Sequence, residues 1–243
     1  AFGGQMVVPN FDHGPGHRIS HLREVHRRGE ITHGDLSGKS RLLAAAAQGE
    51  AASCVDRAPF NRYLADGAFE PLAAFFRAEG TERTYRNGEE FARQGVRNRT
   101  CGLLLAGAFR YVHLTADGER RIVGYAFAGE FVGDYISHCN GIPSWVSIEA
   151  MCDSRVTEVG TAVLETFYAA DAAHERLGRR LAEHLLAEVY ERLLERCAAT
   201  PQERYERLLT RCPGVLDFIP LHELASYLGV RPETLSRIRR RIR

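Results

Sequence analysis

The segment PLHELASYLGVRPETLSRIRRRIR, residues 220–243, decides how this chain is read. Leu221, Leu224, Ala225 and Leu228 fall at helical spacing and make one apolar face. Gly229 follows them, where a left-handed backbone is cheap for glycine and ends a helix. Pro232 suits the first turn of a second helix, in which Leu235, Ile238 and Ile242 share the inward side. Two short helices joined by a glycine turn, the second rich in polar residues and arginine, predict a helix-turn-helix.

The outward side of the second helix carries the chemistry. Glu233, Ser236 and Arg237 recur at i, i+3 and i+4 and so share a face. An arginine there can donate two hydrogen bonds to a guanine edge, while a carboxylate accepts from cytosine N4. Thr234 joins this set, and Arg239, Arg240, Arg241 and Arg243 suit phosphates, which add affinity without reading sequence. Residues 231–243 hold six arginines against one acid, whereas the whole chain has a formal net charge of +1. The basic surface is therefore local, and the expected partner is double-stranded DNA.

Upstream, the capping box Thr200-Pro-Gln-Glu203 opens another helix, and Cys212-Pro213-Gly214 ends it. Leu164–Cys197 reads as one long helix of roughly 30 residues, about 45 Å at 1.5 Å per residue. It carries two stripes, Leu177, Leu181, Leu185 and Ala182, Leu186, Val189, Leu193. The second has the heptad-like spacing that lets a helix pair with its own copy, so a homodimer is expected.

Residues 58–162 have another character. Pro59–Glu79 predicts one or two short helices around Phe60, Tyr63, Leu64, Phe69, Leu72, Phe75 and Phe76. Short strands follow at Gly102–His113, Arg121–Ala128, Phe131–Ile136 and Val146–Val159, punctuated by Asn87-Gly88, Asp117-Gly118 and Asn140-Gly141. Many short strands between turns predict a roll, sandwich or barrel. Residues 1–57, rich in Gly, His, Arg and Pro, show no sustained apolar period, and only Arg41–Ala52 is a helical candidate. Such a segment is expected to be poorly structured and dispensable for DNA binding. Its Gly34–Ser40 stretch is one residue short of a phosphate loop. The expected fold class is α+β.

Composition removes several other classes. The six cysteines, Cys54, Cys101, Cys139, Cys152, Cys197 and Cys212, show no CxxC and no clustering, which disfavours a disulfide scaffold, a zinc ribbon or an iron–sulfur site. No apolar run reaches the length of a membrane helix and the start lacks an apolar signal core, so a cytoplasmic protein with no membrane contact is expected. A jelly-roll metalloenzyme needs His-x-His and Glu on adjacent strands, and the β region offers only His113 and His138. No enzyme activity is expected. Those histidines, or one in the N-terminal stretch, leave haem ligation an open alternative.

Two motifs make a family resemblance specific. Tyr227-Leu-Gly229-Val-Arg-Pro-Glu233-Thr-Leu-Ser236-Arg237-Ile resembles the recognition motif of the Crp–Fnr bacterial regulators. Phe127-Ala-Gly129-Glu-Phe131-Val132-Gly133-Asp134 resembles that family's phosphate-binding cassette. The likeness spans about residues 60–243. It implies a cyclic-nucleotide-binding-like β-roll (residues 58–162), a dimerisation helix (163–198) and a winged helix-turn-helix (199–243). It further implies contact with RNA polymerase and an effector near Gly129, Phe131, Val132, Gly133, Asp134, Ser144 and Trp145. The Glu-x-x-Ser-Arg pattern is similar to that of members reading a TTGA-type half-site. Cyclic AMP is not the expected effector, because the stretch Ile142-Pro-Ser144-Trp145-Val lacks the Arg-Ser pair that holds the cyclic phosphate. The effector is left open, and a ligand-free β-roll serving only as a dimerisation scaffold is the alternative.

Overall fold

A computed structural model describes residues 60–61, 67–212 and 218–242. The readings placed on residues 1–57, on Tyr63 and Leu64 and on Pro213-Gly214 lie outside them. All described elements belong to one compact unit, residues 51–243.

Helix α1 (Glu70–Glu79) leads into eight strands: β1 (Thr81–Tyr85), β2 (Glu90–Ala92), β3 (Thr100–Ala106), β4 (Ala108–Leu114), β5 (Arg120–Phe127), β6 (Phe131–Val132), β7 (Ser147–Ala150) and β8 (Ser154–Gly160). A short helix α2 (Tyr135–Asn140) interrupts them after β6. The strands form two four-stranded antiparallel sheets, ordered β1-β8-β3-β6 and β2-β7-β4-β5. Tyr85, Phe91, Leu104, Phe109, Val132, Ile148 and Val156 fill the space between them. The α+β class is observed, and of the roll, sandwich or barrel expected from the strand pattern the chain forms two packed antiparallel sheets, the β-roll that the resemblance implied.

Several strand boundaries differ from the sequence reading. Gly102–His113 is two strands in different sheets, because the chain crosses over at Gly107 with φ +97°. A Cβ there would lie 2.1 Å from Ser154 Oγ, so the corner requires glycine. Val146–Val159 likewise splits into β7 and β8, one in each sheet. Phe131–Ile136 shrinks to two strand residues, since Asp134 caps α2 by accepting from the Ser137 N–H. Asn140-Gly141 closes that helix and is no hairpin turn.

The long C-terminal helix is also broken in two. Helix α3 (Thr161–Ala169) ends, and Asp171 starts α4 (Ala172–Ala198) by accepting from the N–H groups of Ala173 and His174. These bonds hold the Asp171 carboxyl down at about 2. The local N-cap wins over the run of helix formers around it. Helix α4 has 27 residues, about 40 Å of axis. Leu181 is buried and Leu177 and Leu185 pack with it against α1, α3 and the outer face of the first sheet. Leu186, Val189, Tyr190, Leu193 and Leu194, from the other stripe and its neighbours, are all about half exposed or more.

Three helices complete the described chain: α5 (Pro201–Arg211), α6 (Leu221–Leu228) and α7 (Pro232–Ile242). Thr200 and Glu203 make the expected capping box. Gly229 is left-handed at φ +66° between α6 and α7. Leu224, Ala225, Leu228, Leu235 and Ile238 are buried. No strand follows β8 among the described residues, so a wing is not part of what is described.

Candidate functional site

Two surfaces carry chemistry. The first is the outer side of α7. Glu233, Arg237, Arg240 and Arg241 are exposed there, and Thr234, Ser236 and Arg239 are half-buried. Among the described residues none of the charged groups in this set forms an ion pair, although arginines elsewhere in the protein pair repeatedly. Ser236, Arg239 and Arg240 border a shallow cleft beside Leu221.

The opposite side of the motif is docked on the β-roll. Ala108, Val112, Ile122, Tyr125 and Phe127 of the second sheet share one buried cluster with Tyr205, Leu208, Leu224, Leu228, Leu235 and Ile238. Tyr125 meets Tyr227 of α6 and Phe60, with ring centroids 5.6 Å apart in both pairs. Arg110 of β4 pairs with Glu223 of α6 at 2.7 Å and with Glu149 of β7 at 3.0 Å, and Arg120 closes on Glu149 at 2.7 Å. The Ile122 N–H donates to Ser226 Oγ. A bulge in β5 makes this possible: Tyr111 faces Gly124 while Val112 faces Ile122, leaving Val123 as the extra residue. The inserted residue shifts the strand's alternation and turns both Ile122 and Tyr125 toward the helices.

The second surface is a cavity of about 370 Å³ between the edge strands β5 and β6. Phe76 and Leu72 of α1, Val132 and Phe131 of β6, and Leu164, Leu181 and Leu185 of α3 and α4 supply apolar wall. Tyr111, Tyr125, Tyr135, Tyr168, Cys101, Cys139 and His138 add phenols, thiols and an imidazole. Burial pushes the Cys101 thiol up to about 12 and the four phenols above their ordinary value. Burial also lowers the His138 pKa, which favours neutral imidazole. Glu165, Glu188 and Arg192 are the charged side chains on the wall, and Arg192 pairs with Glu188 at 3.1 Å.

Beside the cavity a buried carboxylate ties the segment before α1 to β5. Glu130 accepts from the Asn61 N–H at 2.9 Å, from Asn61 Nδ2 at 2.6 Å and from the Phe127 N–H at 3.1 Å. Burial drives its pKa up to about 7 against those hydrogen bonds.

Residues 82–171 match the family described as the cyclic nucleotide-binding domain. Among solved structures, FixK2 from Bradyrhizobium japonicum is 22% identical, with a TM-score of 0.57 over 67% of this chain and 84% of that one. The c-di-GMP responsive global regulator CLP of Xanthomonas campestris is 19% identical, with a TM-score of 0.54 over 71% and 90%. A CooA mutant from Carboxydothermus hydrogenoformans is 14% identical, with a TM-score of 0.54 over 69% and 77%. No curated protein sequence matches the chain. Its fold is that of the Crp–Fnr regulators. No helix of the described residues is long and apolar enough to cross a membrane, and no three His, Cys, Asp or Glu side chains among them cluster to hold a metal.

Within this Crp–Fnr fold the residues expected around an effector separate into two groups. Phe131, Val132 and Gly133 line the cavity, whereas Gly129, Asp134, Ser144 and Trp145 do not. Asp134 instead accepts from Ser137 Oγ at 2.7 Å, Ser144 Oγ at 2.9 Å and the Trp145 N–H at 2.7 Å. The carboxylate closes the loop before β7, and Trp145 is left 58% exposed. Gly129 is the turn between β5 and β6, its N–H donating to the Leu104 carbonyl. The tyrosines of the wall and Arg192 do not stand out in the sequence. Only their polarity within otherwise apolar stretches marks them.

Proposed function

We propose that the chain is a homodimeric transcription regulator that reads a near-palindromic, TTGA-type DNA site with α7. The observation that carries this is an exposed helix whose arginines find no acid among the described residues, presented next to a left-handed glycine turn. Arg237 and Glu233 contact base edges, with Thr234 and Ser236 beside them, while Arg239, Arg240 and Arg241 hold phosphates. A second copy covers the half-exposed apolar stripe of α4, which places two α7 helices in successive major grooves. RNA polymerase is the further partner this reading implies.

The β-roll holds an effector in the cavity beneath α4, so that occupancy acts on both α4 and the sheet that carries α6. Tyr125 supports the second route, because it lines the cavity and also stacks in the cluster that seats α6. A cavity of about 370 Å³ at this place favours that reading over a ligand-free scaffold. Fluorescence anisotropy with the full chain on a TTGA palindrome and on scrambled DNA tests the function. Cognate DNA should bind on the order of 10³-fold or more tightly at physiological salt. Equal affinity for both would remove the claim of sequence reading.

A further inference from the structure

We propose that the cavity takes an uncharged, mainly apolar ring compound bearing a carbonyl or ether oxygen, with Arg192 donating to that oxygen. The inference deepens the regulatory reading above and rests on it only for its consequence, not for the binding itself.

Charge argues first. Arg192 is the single cation on the wall among the described residues, and Glu188 already pairs with it. Glu165 adds a second acid, and burial favours neutral His138. A phosphate or carboxylate entering here would meet more negative than positive charge in a mostly apolar enclosure, and a buried anion without a partner is costly.

The hydrogen-bonding groups agree. The Gly133 N–H, which could otherwise receive an anion, donates to the Tyr111 hydroxyl at 3.3 Å. Asp134, which could bond a sugar hydroxyl, is taken up by Ser137, Ser144 and Trp145. Arg192, in contrast, lines the cavity with a guanidinium that has N–H donors to spare beyond the Nη2 bond to Glu188. One acceptor oxygen on an otherwise apolar ligand would take up one of them without adding charge. The volume, about 370 Å³, lies at the small end of the range for small-molecule sites.

The test uses prodan, a neutral naphthalene ketone whose emission shifts blue in apolar surroundings, with the full chain and no DNA present. The expected result is saturable binding, one dye per protomer, which millimolar cyclic AMP does not reverse. Val123→Trp fills the mouth from a residue 41% exposed, so folding should survive, and dye affinity should fall by roughly tenfold or more. Arg192→Gln removes the guanidinium donor and should also cost about tenfold. Melting curves of both variants check that the fold persists. Unchanged dye binding in Val123→Trp, no dye binding at all, or micromolar cyclic AMP binding would each overturn the proposal. None of these outcomes touches the DNA reading, which stands or falls on the operator titration.

Discussion

Helices α6 and α7 belong to one motif and treat their charges in opposite ways. On α6 the acid Glu223 is buried and held by Arg110, and Ser226 receives the Ile122 N–H. On α7 Glu233, Arg237, Arg240 and Arg241 stand exposed and have no ion pair among the described residues. A charge taken out of water must be paired within the chain, whereas a charge left in water is free for a partner molecule. One helix is therefore the motif's attachment to the β-roll, and the other is its free surface.

The largest expected effect lies in the attachment. Leu224 is 1% exposed at the centre of the shared cluster, so Leu224→Ala should cost about 2–5 kcal/mol in denaturant unfolding. If α6 is integral to the β-roll, a single transition should move, as read by both tryptophan emission and circular dichroism. Separate loss of helix alone would show that α6 is not integral to the β-roll.

Next comes acidity. The Glu130 carboxyl has a pKa raised to about 7 in the folded chain, against an ordinary 4.5. The folded state therefore binds the proton more tightly, and stability should fall as pH rises through the window from 4.5 to 7. The change is on the order of 3 kcal/mol, and it should flatten in Glu130→Gln when melting is followed across that window. A wild-type profile that rises over the same interval would contradict the assignment.

Arg110→Ala should cost about 1–3 kcal/mol, since it leaves Glu223 without its cation while Glu149 keeps Arg120. Amide exchange at Ile122 should quicken as α6 loosens. Alanine variants of α7 should leave that amide unchanged, which sharpens the distinction between the two helices.

Effects on DNA affinity, which leave the stability of the fold unchanged, separate reading from gripping on α7. Arg237→Ala should cost about 1–3 kcal/mol on the TTGA palindrome and relax preference at one base pair per half-site. Arg240→Ala should weaken cognate and random DNA alike and lower the salt slope by about one unit for each phosphate that is no longer neutralised. Equal losses on both DNAs for Arg237→Ala would show that this residue holds only the backbone.

Much of the architecture is legible in the sequence because its causes are local. Periodicity marks the helix-turn-helix, Gly229 its turn, and Thr200 with Glu203 the start of α5. The strand region is legible as a class but less so in its corners. An apolar run through Gly102–His113 looks continuous until Gly107 must fit against Ser154, a residue 47 positions away. Asp171 carries a readable cap signal, yet the alanines around it mask the break between α3 and α4.

The candidate sites divide along the same line. The outward residues of α7 follow from a period of 3.6 and from the excess of arginine, so the sequence alone determined which side chains face away from the core. Which of those surfaces stays free was decided only by the fold. Arg110 and Glu223 are 113 residues apart, and no local rule pairs them. The cavity is built from α1, both sheets, α2, α3 and α4, and Asp134 is taken out of it by contacts across a loop. Periodicity assigns a residue to a face, but what lies opposite that face depends on how distant segments pack, and that is a tertiary property.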